Sequence, residues 1–339
     1  MKKIKTSLFL LLLLILLASI VYLFYVRGVA IVPYLQGPQD VQHSGITFEY
    51  EWLVKKDMPT PRTEVSAAAV GGKIYVIGGF DGFGRTSNAV EIYDPSSDMW
   101  SQGPSLPEGR HHAAAVSVEN KLFVIGGFAG GFDPKSDLFL LDLDIPSNPS
   151  WQKKSDLPTP RGAMAAAYID GKIYAVAGVS RNRLSDKLEV YDLETGKWEE
   201  MKNAPTKREH LAAAALDGLL YVGAGREQSL SKNLNVLEVY DPTTDSWRKE
   251  SPLPTARGGV AGASFNGLFV VAGGEQPIST FREVEAYDPV GKKWVALPSL
   301  PTPRHGLSAV VIDNSLYVIG GGKNPGLSVS GSNEVLRVK

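Results

Sequence analysis

Two hydrophobic patterns divide the chain. Between Ser7 and Val26 the sequence SLFLLLLLILLASIVYLFYV carries no charge. A helix rises about 1.5 Å per residue, so this run of about 20 residues spans roughly 30 Å and predicts one transmembrane helix. Lys2, Lys3 and Lys5 precede it and Arg27 follows, a bias that keeps residues 1–6 in the cytoplasm and puts the rest of the chain outside. The alternative is a signal peptide, with Gly28 and Ala30 as a weak small-x-small cleavage site, which would release a secreted protein. Residues 27–45 read as a linker and residues 46–339 as the folded domain.

In that domain the apolar runs are short, and they recur. Small apolar residues, as in SAAAV (Ser66 to Val70) or HAAAV (His112 to Val116), lead through a turn to a nearly continuous apolar run such as KIYVIGG (Lys73 to Gly79). The first is a strand, and the second is a strand buried on both faces that ends in glycines. A polar loop of varying sequence follows, then an alternating strand such as AVEIYDP (Ala89 to Pro95), an Asp-Pro or Asp-Leu turn and a strand carrying tryptophan.

The period of this unit is set by its rarest residue. All six tryptophans, Trp52, Trp100, Trp151, Trp198, Trp247 and Trp294, have a proline seven residues on and an arginine ten residues on. Spacings of roughly 47 to 51 residues suit a four-stranded propeller blade. The first Trp strand, FEYEWLVKK (Phe48 to Lys56), precedes any inner strand, whereas the last copy stops at NEVLRVK (Asn333 to Lys339) without one. The N-terminal strand should therefore complete the final blade and leave no open edge. The fold class expected is all-β: a six-bladed β-propeller closed by its N-terminal strand and preceded by one transmembrane helix.

The paired glycines, a Tyr downstream and a Trp seven residues beyond it resemble the kelch-repeat family over about residues 48 to 338. Two copies replace the first glycine, giving Ala177-Gly178 and Ala224-Gly225, and Leu141 stands at the Tyr position before Trp151. The resemblance implies a binding module that recognises a protein segment or a glycan, and the apolar run over residues 7–26 makes it a membrane-anchored one. Some kelch-like propellers are copper oxidases with a cross-linked cysteine, others sugar mutarotases.

Composition narrows these classes. The chain has no cysteine, which excludes disulfides, thiolate metal sites and the oxidase cofactor, and a formal charge of -1 gives no footprint for nucleic acid. The 35 glycines and 22 prolines agree with many tight turns.

Candidate site residues fall in two regions. Arg62, Arg110, Arg161, Arg208, Arg257 and Arg304 stand just before the inner strands, where they would either ring one channel mouth and fork onto an anion or tie neighbouring blades together. The two positions after each arginine break the repeat: Thr63-Glu64, His111-His112, Gly162-Ala163, Glu209-His210, Gly258-Gly259 and His305-Gly306. They hold four of the five histidines, and with Glu64 they predict a polar pocket at the mouth. Phe80, Phe128, Arg226 and Glu275, on loops after the glycines, are candidate contacts on a second surface. The mutarotase alternative would use Glu64, His112 and His210 for proton transfer and Arg208 or Arg257 to hold an acidic sugar. A histidine cluster can hold zinc, but residues from different blades need not converge, so no metal or cofactor is assigned.

Overall fold

A computed structural model describes residues 41–43, 46–145 and 149–339. The candidate membrane helix over residues 7–26 lies outside them. The described residues form six four-stranded antiparallel sheets. The first blade runs outward from the axis as Ser66–Val70, Lys73–Ile77, Val90–Asp94 and Met99–Gln102. The other five repeat it, with inner strands Ala114–Val118, Ala165–Ile169, Ala212–Leu216, Ala261–Phe265 and Ser308–Ile312. These six strands contact one another in sequence around the axis, the last meeting the first. Their small side chains allow six backbones to converge on one channel.

The second strand of each blade is buried almost throughout, as its unbroken apolar run requires. Apolar clusters fill each gap between adjacent sheets, so the core is six blade interfaces rather than one central mass. The ring closes as the chain ends foretell: Tyr50–Lys55 pairs antiparallel with Asn333–Val338, from Tyr50 opposite Val338 to Lys55 opposite Asn333.

Two repeated residues stitch blade to blade. Each tryptophan indole donates a 2.8 Å hydrogen bond to a carbonyl at the end of the preceding blade's outer strand, from Trp100 to Lys56 in the first blade and from Trp52 to Pro298 in the last. Nearer the axis, the second glycine of each pair donates its N–H to the carbonyl of the next repeat's arginine at 2.7–2.9 Å, all six times. These second glycines have φ of 86–119°, whereas Ala177 and Ala224 sit at 58° and 59°, in the left-handed well that alanine tolerates. A Cβ at Gly178 would also lie 2.7 Å from the Gly162 carbonyl oxygen. Gly178→Ala is therefore expected to cost about 2–4 kcal/mol of stability, and Ala177→Gly about 1 kcal/mol or less in either direction, as urea unfolding would show.

Candidate functional site

The arginine frame belongs to the scaffold. All six guanidinium groups are fully buried within their blades. Arg161 pairs with Glu189 and donates to the Ala175 carbonyl at 3.0 Å. Arg62 pairs with Glu91, Arg208 with Glu238, Arg257 with Glu285 and Arg304 with Glu334. A threonine two residues before the arginine caps the same carboxylate in four blades, as Thr159 does for Glu189 at 2.6 Å. In the second blade Phe139 occupies the glutamate position, and Arg110 lies over its ring and reaches Asp137 and Glu108 instead. The expectation that Arg62, Arg110, Arg161, Arg208, Arg257 and Arg304 meet a ligand at the channel mouth is thus corrected: their guanidinium groups are buried in the blades and paired with carboxylates there. The tie they make between blades runs through their carbonyls, not their side chains.

The mouth is built by the residues that follow. The second position after each arginine has φ between 51° and 72°, and in five of the six its N–H donates to the carbonyl of the same position one blade earlier. His112 thus bonds to Glu64, Ala163 to His112, His210 to Ala163, Gly259 to His210 and Gly306 to Gly259, at 2.9–3.1 Å, and Val65 closes the circle onto Gly306 at 3.4 Å. The first position after each arginine bridges to the residue after the glycine pair, as Thr63 does to Phe80 and Glu209 to Arg226. The two expected surfaces are therefore one. A bowl of about 400 Å³ lies over the channel, with Phe80, Phe128 and Phe132 on one wall and Glu209, Arg226, Glu275 and His305 among its other lining residues.

At its floor the charged groups form a closed circuit. Glu64 Oε1 lies 3.3 Å from His305 Nδ1, which lies 3.5 Å from Glu275 Oε2. Glu275 binds Arg226 at 2.6 Å, Arg226 binds Glu209 at 3.0 Å, and Glu209 Oε2 lies 3.0 Å from His210 Nδ1. His210 Nε2 and His112 Nε2 return to Glu64 Oε2 at 3.9 and 3.2 Å. Glu64, His112 and His210 line both the bowl and the narrower channel beneath it, and so separate the two.

Burial and charge oppose each other here. Burial alone would raise the Glu64 carboxyl, but the imidazoles of His112, His305 and His210 outweigh it and hold the group well below the carboxylate range. Burial likewise opposes ionisation of Glu209, yet His210 and Arg226 bring it down to about 2. Desolvation pushes His112 well below the usual imidazole value and His111 down to about 4. His305 is raised, because Glu64 and Glu275 overcome its desolvation.

Of the other sequence candidates, Glu64, His112, His210, His305, Arg226 and Glu275 come together. Phe80 and Phe128 line the wall while almost fully buried. His111 is a correction: it is fully buried, stacks on Phe80 with ring centroids 3.9 Å apart, and serves His112 from behind rather than meeting a ligand. Glu209 and Phe132 join these candidates in the bowl. Glu209 stands in the irregular columns that marked its neighbour His210, and that was the signal available.

The propeller and its mouth agree with what the chain is similar to. A family model described as the KLHDC2/KLHL20/DRC7 Kelch-repeats domain matches residues 102–252 and 201–322, well over half of the chain, and a Kelch motif model matches residues 61–107. Kelch-like protein 35 of Mus musculus is 27% identical over 134 residues, 39% of this chain and 21% of its own length. Kelch-like protein 6 of Homo sapiens is 36% identical over 76 residues, 22% of this chain and 12% of its own. Alpha-scruin of Limulus polyphemus is 25% identical over 142 residues, 40% of this chain and 16% of its own. The chain thus spans about a fifth or less of the length of these relatives, and the likeness lies in the repeats. Six tryptophan-framed blades, the glycine joints between them and the family model across most of the ring lead to one conclusion: the chain belongs to the kelch-repeat family.

Proposed function

We propose that the bowl binds a segment of a partner protein, seating an apolar side chain against the phenylalanine wall and a basic group beside the carboxylates. One observation carries this reading: the face that bears the bowl is also rimmed by exposed apolar side chains. Phe83 and Phe132 are 85% and 66% exposed, and Ile278 and Leu327, on loops of the fifth and sixth blades, 76% and 63%. Exposed apolar side chains gathered on one face, with polar groups beside them, mark an interaction surface. The circuit sets three carboxylates, Glu64, Glu209 and Glu275, against one permanent cation, Arg226, which favours a basic ligand group. Kelch propellers generally bind protein partners, and that general role supports the reading.

The membrane-anchored, extracytoplasmic setting is part of the same proposal and rests on the apolar run over residues 7–26. The chain enters the propeller on the face away from the bowl, where Asn266, in an inner-strand turn, donates to the Tyr50 hydroxyl at 3.3 Å. As a variant of the same role, the bowl would take a glycan.

Displayed-peptide selection on the immobilised full chain tests the proposal. Enriched peptides are expected to pair a large apolar residue with Lys or Arg, and to bind Phe132→Ser and Glu275→Gln variants about tenfold or more weakly. Peptides that bind the variants as well as the parent would refute the bowl as the site. Sugar-ring opening is the second reading. The convergence of Glu64, His112 and His210 favours it, but Arg208 and Arg257, which it assigned to hold an acidic sugar, are committed inside their blades. An anomerisation rate unaffected by combined Glu64→Gln and His210→Ala substitution would remove it.

A further inference from the structure

We propose that Glu64, His112 and His210 hold a divalent cation of the zinc class at the floor of the bowl, with an open coordination position facing it. The inference stands independently of the peptide reading and starts from where the histidine nitrogens face. His111 is fully buried between phenylalanines, with Nε2 against the Gly131 carbonyl. Its Nδ1 lies 2.5 Å from His112 Nδ1, so that nitrogen of His112 is held from behind. The remaining nitrogen of His112, Nε2, points at Glu64 Oε2 at 3.2 Å.

His210 repeats the arrangement from the fourth blade. Its Nδ1 lies 3.0 Å from Glu209 Oε2, off the line of an ideal hydrogen bond, and its Nε2 is turned the other way. Nε2 lies 3.9 Å from the same Glu64 oxygen. Two imidazole nitrogens and a carboxylate thus converge, each imidazole with a neighbour behind it, as in the outer shell of metal-binding histidines. One donor atom from each residue lies within 4.8 Å of the other two. Bonds of about 2.0–2.1 Å in a tetrahedral site put donors about 3.3 Å apart, so small side-chain rotations would complete the set. The three side chains are 6–12% exposed, and all three line the bowl, which gives the ion an entry path. Three protein ligands are the number found in sites that keep one position for water or a ligand.

Calorimetric titration of zinc chloride into the chelator-stripped full chain tests this, with cobalt as a spectroscopic probe. One equivalent is expected to bind, with visible cobalt absorption typical of a nitrogen and oxygen donor set. His112→Ala and His210→Ala should each weaken binding at least about tenfold, and Glu209→Gln, which only steadies His210, about 10- to 100-fold. Should either alanine variant fail to fold, Glu64→Gln preserves the shape and should also weaken binding. No binding by the parent chain would overturn the proposal. Binding that survives His112→Ala, His210→Ala and Glu64→Gln would overturn it too. Peptide capture by a chain that binds no zinc would refute the cation alone and leave the bowl reading in place.

Discussion

A chain that begins after Lys56 is expected to self-associate and to lose most of its cooperative unfolding. The deletion removes the outer strand of the last blade, with its six paired positions from Tyr50 to Lys55, and the indole bond from Trp52 to the Pro298 carbonyl. It moves the free edge of the last blade inward from Tyr50–Lys55 to Asn333–Val338, most of whose side chains are buried. At about 1 kcal/mol net per hydrogen bond, with the burial of Tyr50 lost as well, the cost exceeds about 5 kcal/mol and rivals the stability of a typical domain. An edge of that kind recruits other strands. Light scattering coupled to size exclusion should therefore show oligomers, and a synthetic peptide of residues 48–56 added in trans should restore the monomer and raise the melting temperature. A monomer of unchanged melting temperature would show that the ring does not depend on this closure.

The second large effect concerns the buried arginines. Arg161→Ala leaves Glu189, 1% exposed, without its counter-charge inside the third blade, and removes the donor to the Ala175 carbonyl. Breaking such a pair by deleting one partner costs about 3–5 kcal/mol, and replacing both members with apolar residues of similar volume costs far less. Arg161→Met combined with Glu189→Leu should therefore recover much of what Arg161→Ala loses. Arg110→Ala should be milder than Arg161→Ala, because its acidic partners Asp137 and Glu108 are 18% and 53% exposed and remain solvated when left alone. Chemical denaturation of the three variants measures the order. Equal losses at Arg110 and Arg161 would mean that charge burial does not govern the frame.

This arginine frame shows where sequence reading succeeded and where it stopped. Blade count and closure were legible because tryptophan is rare, occurs once per copy and plays one role in every blade. The partners of the arginines were legible in principle. A glutamate occupies the second position of the third strand in VEIYD, LEVYD, LEVYD, VEAYD and NEVLR, and threonine precedes the arginine by two in five copies. A charge repeated with a counter-charge at fixed spacing is a structural pair, and the departure of both columns in the second blade, to Glu108 and Phe139, supports it.

The bowl was legible only in part. The irregular columns pointed to Glu64, His112, His210 and His305, but not to where they aim. Glu64, His112 and His210 are non-glycine residues with φ of 53–54°, a conformation that composition does not announce. That backbone turn, imposed by the ring of hydrogen bonds around the mouth, carries side chains from the first, second and fourth blades to one point. Arg226 and Glu275, on loops separated by 49 residues, meet only because the ring brings their blades together.

The most direct test of the bowl as the working surface is hydrogen–deuterium exchange of the full chain with and without a selected peptide. Added protection is expected in the loops around Phe80–Arg85, Phe128–Asp133, Arg226–Lys232, Glu275–Thr280 and Gly322–Ser328. Protection confined instead to the opposite face, in the turns around Asp192–Gly196 and Asp288–Lys292, would contradict it.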